Sequence, residues 1–327
     1  MEKIDIVVTW VDGTDPKWLK EKSKYVAEKS YSEADSKNRY SPSDLFKYWF
    51  RGIENNMPWI NKVFFITYGH IPGWLNKNHP KLKIVRHADY IPNEYLPTYN
   101  SNIIELHLHR IRELSEKFIL FNDDVYVIAK LEKEDFFVGD RVRDLAIYKP
   151  IIPYGSFSHT QINNTIIMNK YFSSKNELKK NPLKFFRWGN GKHNINNLVA
   201  LLYPGIIGYM ASHIAQPHLK STFKKVFELE KDILPEAEKS RFRTEKDISH
   251  YLMSHWNIET GKFLPRDSNF GRFFLNSELE DIKLALKNKK YKIICINDDL
   301  EMDARKSDKE LEESFSKLFP NKSEFEL

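Results

Sequence analysis

Short apolar runs that stop at turns dominate the first half of the chain. Residues 4–11, IDIVVTWV, form a β-branched run ending at Asp12-Gly13, the pattern of a buried strand closed by a turn. Residues 62–67 (KVFFIT) repeat it and close at Gly69, and residues 83–85 suggest a third short strand. Residues 118–121 (FILF) make a fourth, running straight into Asn122-Asp123-Asp124. Helical periodicity fills the gaps. Over 44–56 the apolar residues Leu45, Trp49 and Ile53 recur every four positions, and Pro58 stops the element. Asn100-Ser101 caps a second predicted helix reaching about Glu116, with Ile104, Leu108, Ile111 and Leu114 as its stripe. The polar stretch 15–44 reads as a helix followed by a mobile loop over 29–42. Apolar strands alternating with helices predict an α/β fold with a mainly parallel sheet.

The second half is less regular. Residues 165–168 suit a helix start or a strand, and 198–210, apolar but broken by proline and glycine, receive no element. Amphipathic helices are expected over 219–230 and 247–256, and a late strand over 291–296 (YKIICI) ends in Asn297-Asp298-Asp299. The charged stretch from 303 onward reads as a helix with a frayed end. The resulting division is one α/β domain over 1–300, in halves 1–150 and 151–300, plus a charged tail over 301–327.

Composition narrows the class. Of 327 residues, 41% are hydrophobic and 14% aromatic, enough for a substantial core. The net charge of +6 mildly favours anionic partners such as nucleotides, anionic lipid or charged glycan. No Lys/Arg-rich block marks a nucleic-acid track, so nucleic acid is not an expected partner. Cys295 is the single cysteine, which excludes an intramolecular disulfide and fits a reducing compartment. Neither a signal peptide nor a run of roughly 20 apolar residues is evident, so the chain is expected in the cytoplasm, with contact at the inner membrane face left open.

Several residues offer chemistry. Asp123 and Asp124 sit at a strand's carboxyl end, where α/β folds bind ligands, and hard carboxylate oxygens suit Mg²⁺ or Mn²⁺ bridging a diphosphate. Asn and Asp are also ordinary turn residues, so position alone leaves both readings open. The same pair of readings applies to Asp298 and Asp299, where the turn is favoured. His213 and His218, in SHIAQPH, could accept a proton near neutral pH, or be structural. Glu105 and His109 share a helix face, as a ligand-orienting pair or an exposed ion pair. Arg110 and Arg243 are candidate phosphate clamps. No phosphate loop, zinc-protease helix or nucleophile elbow is present.

In combination these motifs resemble the Stealth family. IDIVVTWVDGTDP at 4–16 is similar to its opening block. PWINKVFFIT, GHIPGWLN, LPTYNS and FNDD, between residues 45 and 124, resemble the second; SHIAQPHLKS through FRTEKDISHYLMSHWNIETGK, the third; and IICINDD, the last.

The resemblance implies a Rossmann-like, nucleotide-sugar-transferase (GT-A-like) fold in a single catalytic domain over 1–300, with 1–150 as the nucleotide-binding half and 151–300 as the acceptor and catalytic half. It also implies metal-dependent transfer of a hexose-1-phosphate, with N-acetylhexosamine favoured, from a UDP-sugar donor to a glycan acceptor that can be lipid-linked. A phosphodiester of capsular or cell-surface polysaccharide forms and UMP is released.

Carried over by position, Asp123 and Asp124 would hold Mg²⁺ or Mn²⁺. His213 would be the general base, and Arg243, paired with Asp247, would stabilise the transferred phosphoryl group. Asp12, Asn100, Ser101, Glu105, His109, Arg110, Asn164 and Asp247 would line the substrate pocket. The chain departs from the family at Gly69-His70, where Gly-Gln is common, and at His213-Ile214-Ala215, where His-x-Pro is common; the second predicts a looser loop. The rival expectations are an ordinary glycosyltransferase releasing UDP and a non-catalytic glycan-binding protein.

Overall fold

The structure is a computed structural model that describes residues 2–26, 45–155, 157–297 and 304–327. In chain order its first half holds β1 (Ile4–Thr9), α1 (Pro16–Ser23), α2 (Phe46–Asn56), β2 (Val63–Thr67), β3 (Leu82–Arg86), α3 (Ser101–Leu106), β4 (Lys117–Asn122), β5 (Val125–Val127), β6 (Phe137–Val138) and β7 (Arg141–Asp144). Next come α4 (Phe157–Tyr171), α5 (Ser174–Lys180), α6 (Pro182–Phe185), α7 (Asn194–Ala200), β8 (Gln216–Leu219), α8 (Lys220–Leu229) and α9 (Ile233–Glu238). The chain then closes with α10 (Tyr251–Glu259), β9 (Phe263–Pro265), β10 (Gly271–Leu275), α11 (Leu279–Asn288), β11 (Ile293–Asn297) and α12 (Ala304–Leu318). The expected 29–42 loop, Asp44, Asp298 and Asp299 lie outside the described residues.

The main sheet has the order β3-β2-β1-β4-β8. The first four strands are parallel, which is why they read as continuous apolar runs: both faces are covered. β8 runs antiparallel to β4 at the edge, where Pro217 removes no ladder bond from a further strand. The chain builds outward from β1 to β3 and then returns to add β4 on the other side of β1. That reversal opens a crevice beyond the carboxyl ends of β1 and β4, whose last residues, Thr9 and Asn122, are register partners. A smaller sheet, β10-β11-β5, continues from that edge, because β5 follows β4 after only Asp123-Asp124.

Three expectations change. The helix predicted from Asn100 to Glu116 stops at Leu106, followed by a 3₁₀ turn over Leu108–Arg110. Its four stripe residues are buried as expected, but Lys220 Nζ donates to the carbonyl oxygens of Ile111 (2.7 Å) and Leu114 (3.0 Å), replacing helical partners. SHIAQPH is not wholly irregular, since its last residues enter β8.

The chain's end is core rather than tail. Leu311, Phe315, Phe319 and Phe325 are buried, Phe315 stacks on Tyr48 with ring centroids 5.6 Å apart, and Arg51 donates to both carboxylate oxygens of Glu326 at 2.7 Å.

Candidate active site

β4 delivers Asn122, Asp123 and Asp124 to the crevice, and the immediate start of β5 fixes where they point. The Ile296 N–H donates to the Asp124 carbonyl at 3.0 Å, so β11 locks this turn to the small sheet. Asp124 Oδ2 lies 3.6 Å from His213 Nε2 and accepts from the Cys295 thiol at 3.4 Å. Asp124 Oδ1 is buried and makes no hydrogen bond. A buried carboxylate oxygen in that state invites a cation or a donor. Among the described residues, donor atoms of Asp124, His213 and Cys295 lie within 4.8 Å of one another. Burial first, then Asp124, pushes the Cys295 thiol well above its ordinary range, so the sulfur is a neutral donor to the carboxylate. A divalent cation would therefore be held through carboxylate oxygen rather than sulfur, at Asp124 with half-buried Asp123 as the adjacent carboxylate in the turn.

The His213 segment is held firmly without the family's proline. Ser212 carbonyl oxygen accepts from Tyr251 Oη at 3.1 Å and from Gln216 Nε2 at 2.9 Å. Ile214 and Ala215 are buried, and Gly271 on β10 leaves Ile214 its room: a Cβ there would approach Ile214 carbons to 3.0 Å. Phe273, 40% exposed, meets the His213 ring edge-on at 5.9 Å.

Beneath this pair runs a buried polar chain. Glu105 Oε2 is 3.7 Å from His250 Nε2, and His250 Nδ1 is 3.0 Å from His218 Nε2. Burial holds His218 down to about 3 and His250 well below its ordinary value, so both imidazoles are neutral and share one N–H between them. Glu105 thus pairs inward rather than with His109. His109 packs between Phe223 and Phe227 on α8, with ring centroids at 5.8 and 4.5 Å, and burial pushes it down to about 4. Arg110 is exposed at the end of the 3₁₀ turn.

A second group sits at the start of α3. Arg243 Nη2 donates to Ser101 Oγ at 2.7 Å, one helical turn from Glu105. Asp247 holds the arginine's loop in place. Its Oδ2 accepts from Asn100 Nδ2 and Asn102 Nδ2, both at 2.9 Å, and its Oδ1 from the Thr244 N–H and hydroxyl, both at 3.1 Å. Asn100 and Asp247 are buried and spent on these bonds. So is Asn164, which exchanges bonds with Ser249 at 2.9 and 3.2 Å and ties α4 to the residue before His250. Asp247 nonetheless lines the same cleft as Arg243, and Asn164 lines the one beside it. A cleft lined by Arg243, His159 and Phe157 adjoins one lined by Phe157, Tyr209 and Tyr251, and Tyr251 reaches Ser212 beside His213.

Asp12 lies beyond β1 in a turn: its Oδ1 accepts from the Thr14 N–H (2.8 Å) and hydroxyl (2.6 Å). The Asp12 N–H donates to His70 Nε2 at 2.8 Å, so His70 does the positioning work that a glutamine oxygen could also do. Sequence assigns Cys295, His250 and Tyr251 no role at the site: Cys295 reads only as a lone cysteine in a late strand, and His250 and Tyr251 only as aromatic positions within the helix expected over 247–256.

The fold and this arrangement define an α/β enzyme with a carboxylate–imidazole pair at the carboxyl edge of a mainly parallel sheet. Stealth protein conserved regions 1, 2 and 4 match residues 2–30, 39–145 and 285–327. The chain is 46% identical over 327 residues to the capsular polysaccharide phosphotransferase WcwK of Streptococcus pneumoniae, covering 100% of this chain and 99% of that protein. It is 39% identical to the receptor polysaccharide phosphotransferase WefC of Streptococcus oralis, with both chains covered in full. Identity to the exopolysaccharide phosphotransferase cps2G of Lactiplantibacillus plantarum is 34%, over 99% of this chain and 96% of that one. The chain belongs to the Stealth family. Among solved structures, the galactosyltransferase LgtC with donor and acceptor sugar analogues overlaps at a TM-score of 0.40 and 10% identity over 95% of both chains, a likeness too slight to carry an argument.

Proposed function

We propose that this chain, a transferase of phosphorus-containing groups, moves a hexose-1-phosphate from a UDP-sugar onto a glycan hydroxyl in the synthesis of a bacterial surface polysaccharide, releasing UMP. The observation that carries the reading is the pairing of Asp124 with His213, 3.6 Å apart at the edge where the parallel strands end. The acceptor oxygen attacks the β-phosphorus, the bond from that phosphorus to the bridging oxygen of UMP breaks, and the hydroxyl proton passes to His213. Arg243, aimed by Ser101, offers a guanidinium to the phosphoryl oxygens as charge shifts during transfer. A divalent cation, Mg²⁺ or Mn²⁺, bound through Asp124 with Asp123 adjacent, would neutralise charge on the diphosphate. Asp12, in the turn after β1, and Ser101, which holds Arg243, would contact the donor.

Incubation with a panel of UDP-sugars and a glycan acceptor, with the released nucleotide weighed by mass spectrometry, tests the reaction. UMP is expected. UDP as product would make the chain an ordinary glycosyltransferase, and intact donor throughout would favour a non-catalytic glycan-binding role. His213→Ala and Asp124→Asn should each lower turnover by about 10²–10⁴-fold, and chelation with EDTA should abolish it.

A further inference from the structure

The stretch from α6 to just past α7 turns its apolar side outward. Trp188 is 100% exposed, Leu183 84%, Leu202 81%, Ile195 64% and Leu198 60%. Ile195, Leu198 and Leu202 follow a helical spacing of three and four, which puts them on one face. The opposite face of α7 is anchored by a polar side chain. Asn197 is fully buried, accepts from the Tyr148 N–H at 2.8 Å, and donates to the carbonyl oxygens of Ala146 (2.9 Å) and Phe185 (2.7 Å). Asn190 donates to the same Phe185 oxygen at 2.7 Å. The usual arrangement, apolar inside and polar outside, is therefore reversed by specific inward amide bonds, and exposed apolar surface of this extent marks an interaction site.

Charge around this face selects the partner. Residues 176–203 contain five Lys or Arg and one acid, Glu177, which is itself buried. Lys184 faces Glu177 at 3.8 Å and Arg187 faces Asp267 at 3.0 Å, whereas Lys179, Lys180 and Lys192 are exposed, as is nearby Lys149. A fully exposed tryptophan and leucines ringed by lysines match the boundary between anionic headgroups and acyl chains.

We propose that this face docks the protein onto an anionic phospholipid surface, with Trp188, Leu198 and Leu202 entering the interface and the lysines meeting the headgroups. No helix among the described residues is long and apolar enough to cross a membrane, so the contact is peripheral. Ile152 and Tyr154 are also exposed, and Phe157, a few residues on in the chain, lines the Arg243 cleft. That would present the crevice to an acceptor held at the same surface.

Flotation of the full chain with vesicles of phosphatidylglycerol and phosphatidylcholine, against phosphatidylcholine alone, tests this independently of catalysis. The protein should float only with the anionic vesicles. Trp188→Ser and the Leu198→Ser/Leu202→Ser double variant should each reduce the floated fraction at least about 10-fold while keeping the parent melting temperature, and Lys179→Glu/Lys180→Glu should shift binding to lower salt. Absence of flotation, or variants that float like the parent, overturns the proposal. So does a concentration-dependent dimer in sedimentation velocity that Leu198→Ser/Leu202→Ser dissolves, since the face would then belong to a second copy.

Discussion

The hydroxyl of Tyr251 donates to the carbonyl oxygen of Ser212 across 3.1 Å, one residue before His213. That bond and the one from Gln216 replace the rigidity a proline would give to the loop. Tyr251→Phe removes only the hydroxyl and leaves Gln216 in place. It should lower kcat by about 10-fold with little change in KM or melting temperature, because misplacing a base affects the transition state more than binding. An unchanged kcat would show that the tyrosine does not position His213.

Arg243 and Asp247 separate presentation from scaffold. Arg243→Ala should reduce turnover by about 10²–10³-fold and leave stability near the parent, since the guanidinium is half-buried and bonds Ser101 at the site's rim. Asp247→Ala removes a buried carboxylate that accepts four hydrogen bonds, takes the acceptor from Asn102 Nδ2 and leaves Asn100 Nδ2 only the Phe242 carbonyl. It should cost about 3 kcal/mol of stability as well as activity. Thermal unfolding and initial rates on the two variants check the contrast; equal melting temperatures would undo it.

Much of this architecture is legible in the chain because its signals are local. β1, β2 and β4 announce themselves as apolar runs closed by turns, and Asp124 follows from where β4 ends. Pairings that depend on distant partners are not legible. Nothing around Asn100 signals Asp247, and a helical stripe from Ile104 to Leu114 cannot reveal that Lys220 takes the carbonyls of its last turn. Glu105 and His109 share the right spacing, yet the chain leaves the helix between them and each finds a different neighbour. Cys295 looked like an isolated thiol until β11 paired with β5 and set it against Asp124.

The end of the chain offers a stability test. Charged residues on one side of α12 hide an apolar side that closes over α2, with Phe315 fully buried against Tyr48 and Tyr126. Phe315→Ala should cost about 3–5 kcal/mol by leaving a cavity, and removal of residues 319–327 should also lose the Arg51–Glu326 pair. Chemical denaturation reads both. A truncated chain as stable as the parent would make this segment the dispensable tail its charge suggests.

Six buried histidines set the response to acid. His87 and His109 are pushed down to about 4, His107, His218 and His255 to about 3, and His250 well below its ordinary value, burial being the leading cause in each. The unfolded chain binds their protons near 6.5 while the folded one refuses them, so their stabilisation is complete above that pH and is lost as pH falls toward the folded values. Glu259 acts in the opposite sense. Burial raises it from 4.5 to about 7 despite hydrogen bonds from Tyr148 and Tyr209, so its contribution is present at low pH and lost as pH rises toward 7. Each group contributes at most about 1.4 kcal/mol per pH unit, and between pH 7 and about 5.5 the histidines outnumber the glutamate. The urea midpoint should therefore fall over that interval, and Glu259→Gln should make it fall more steeply by removing the opposing proton. A midpoint that holds or rises at the lower pH would mean that these imidazoles accept protons in the folded protein.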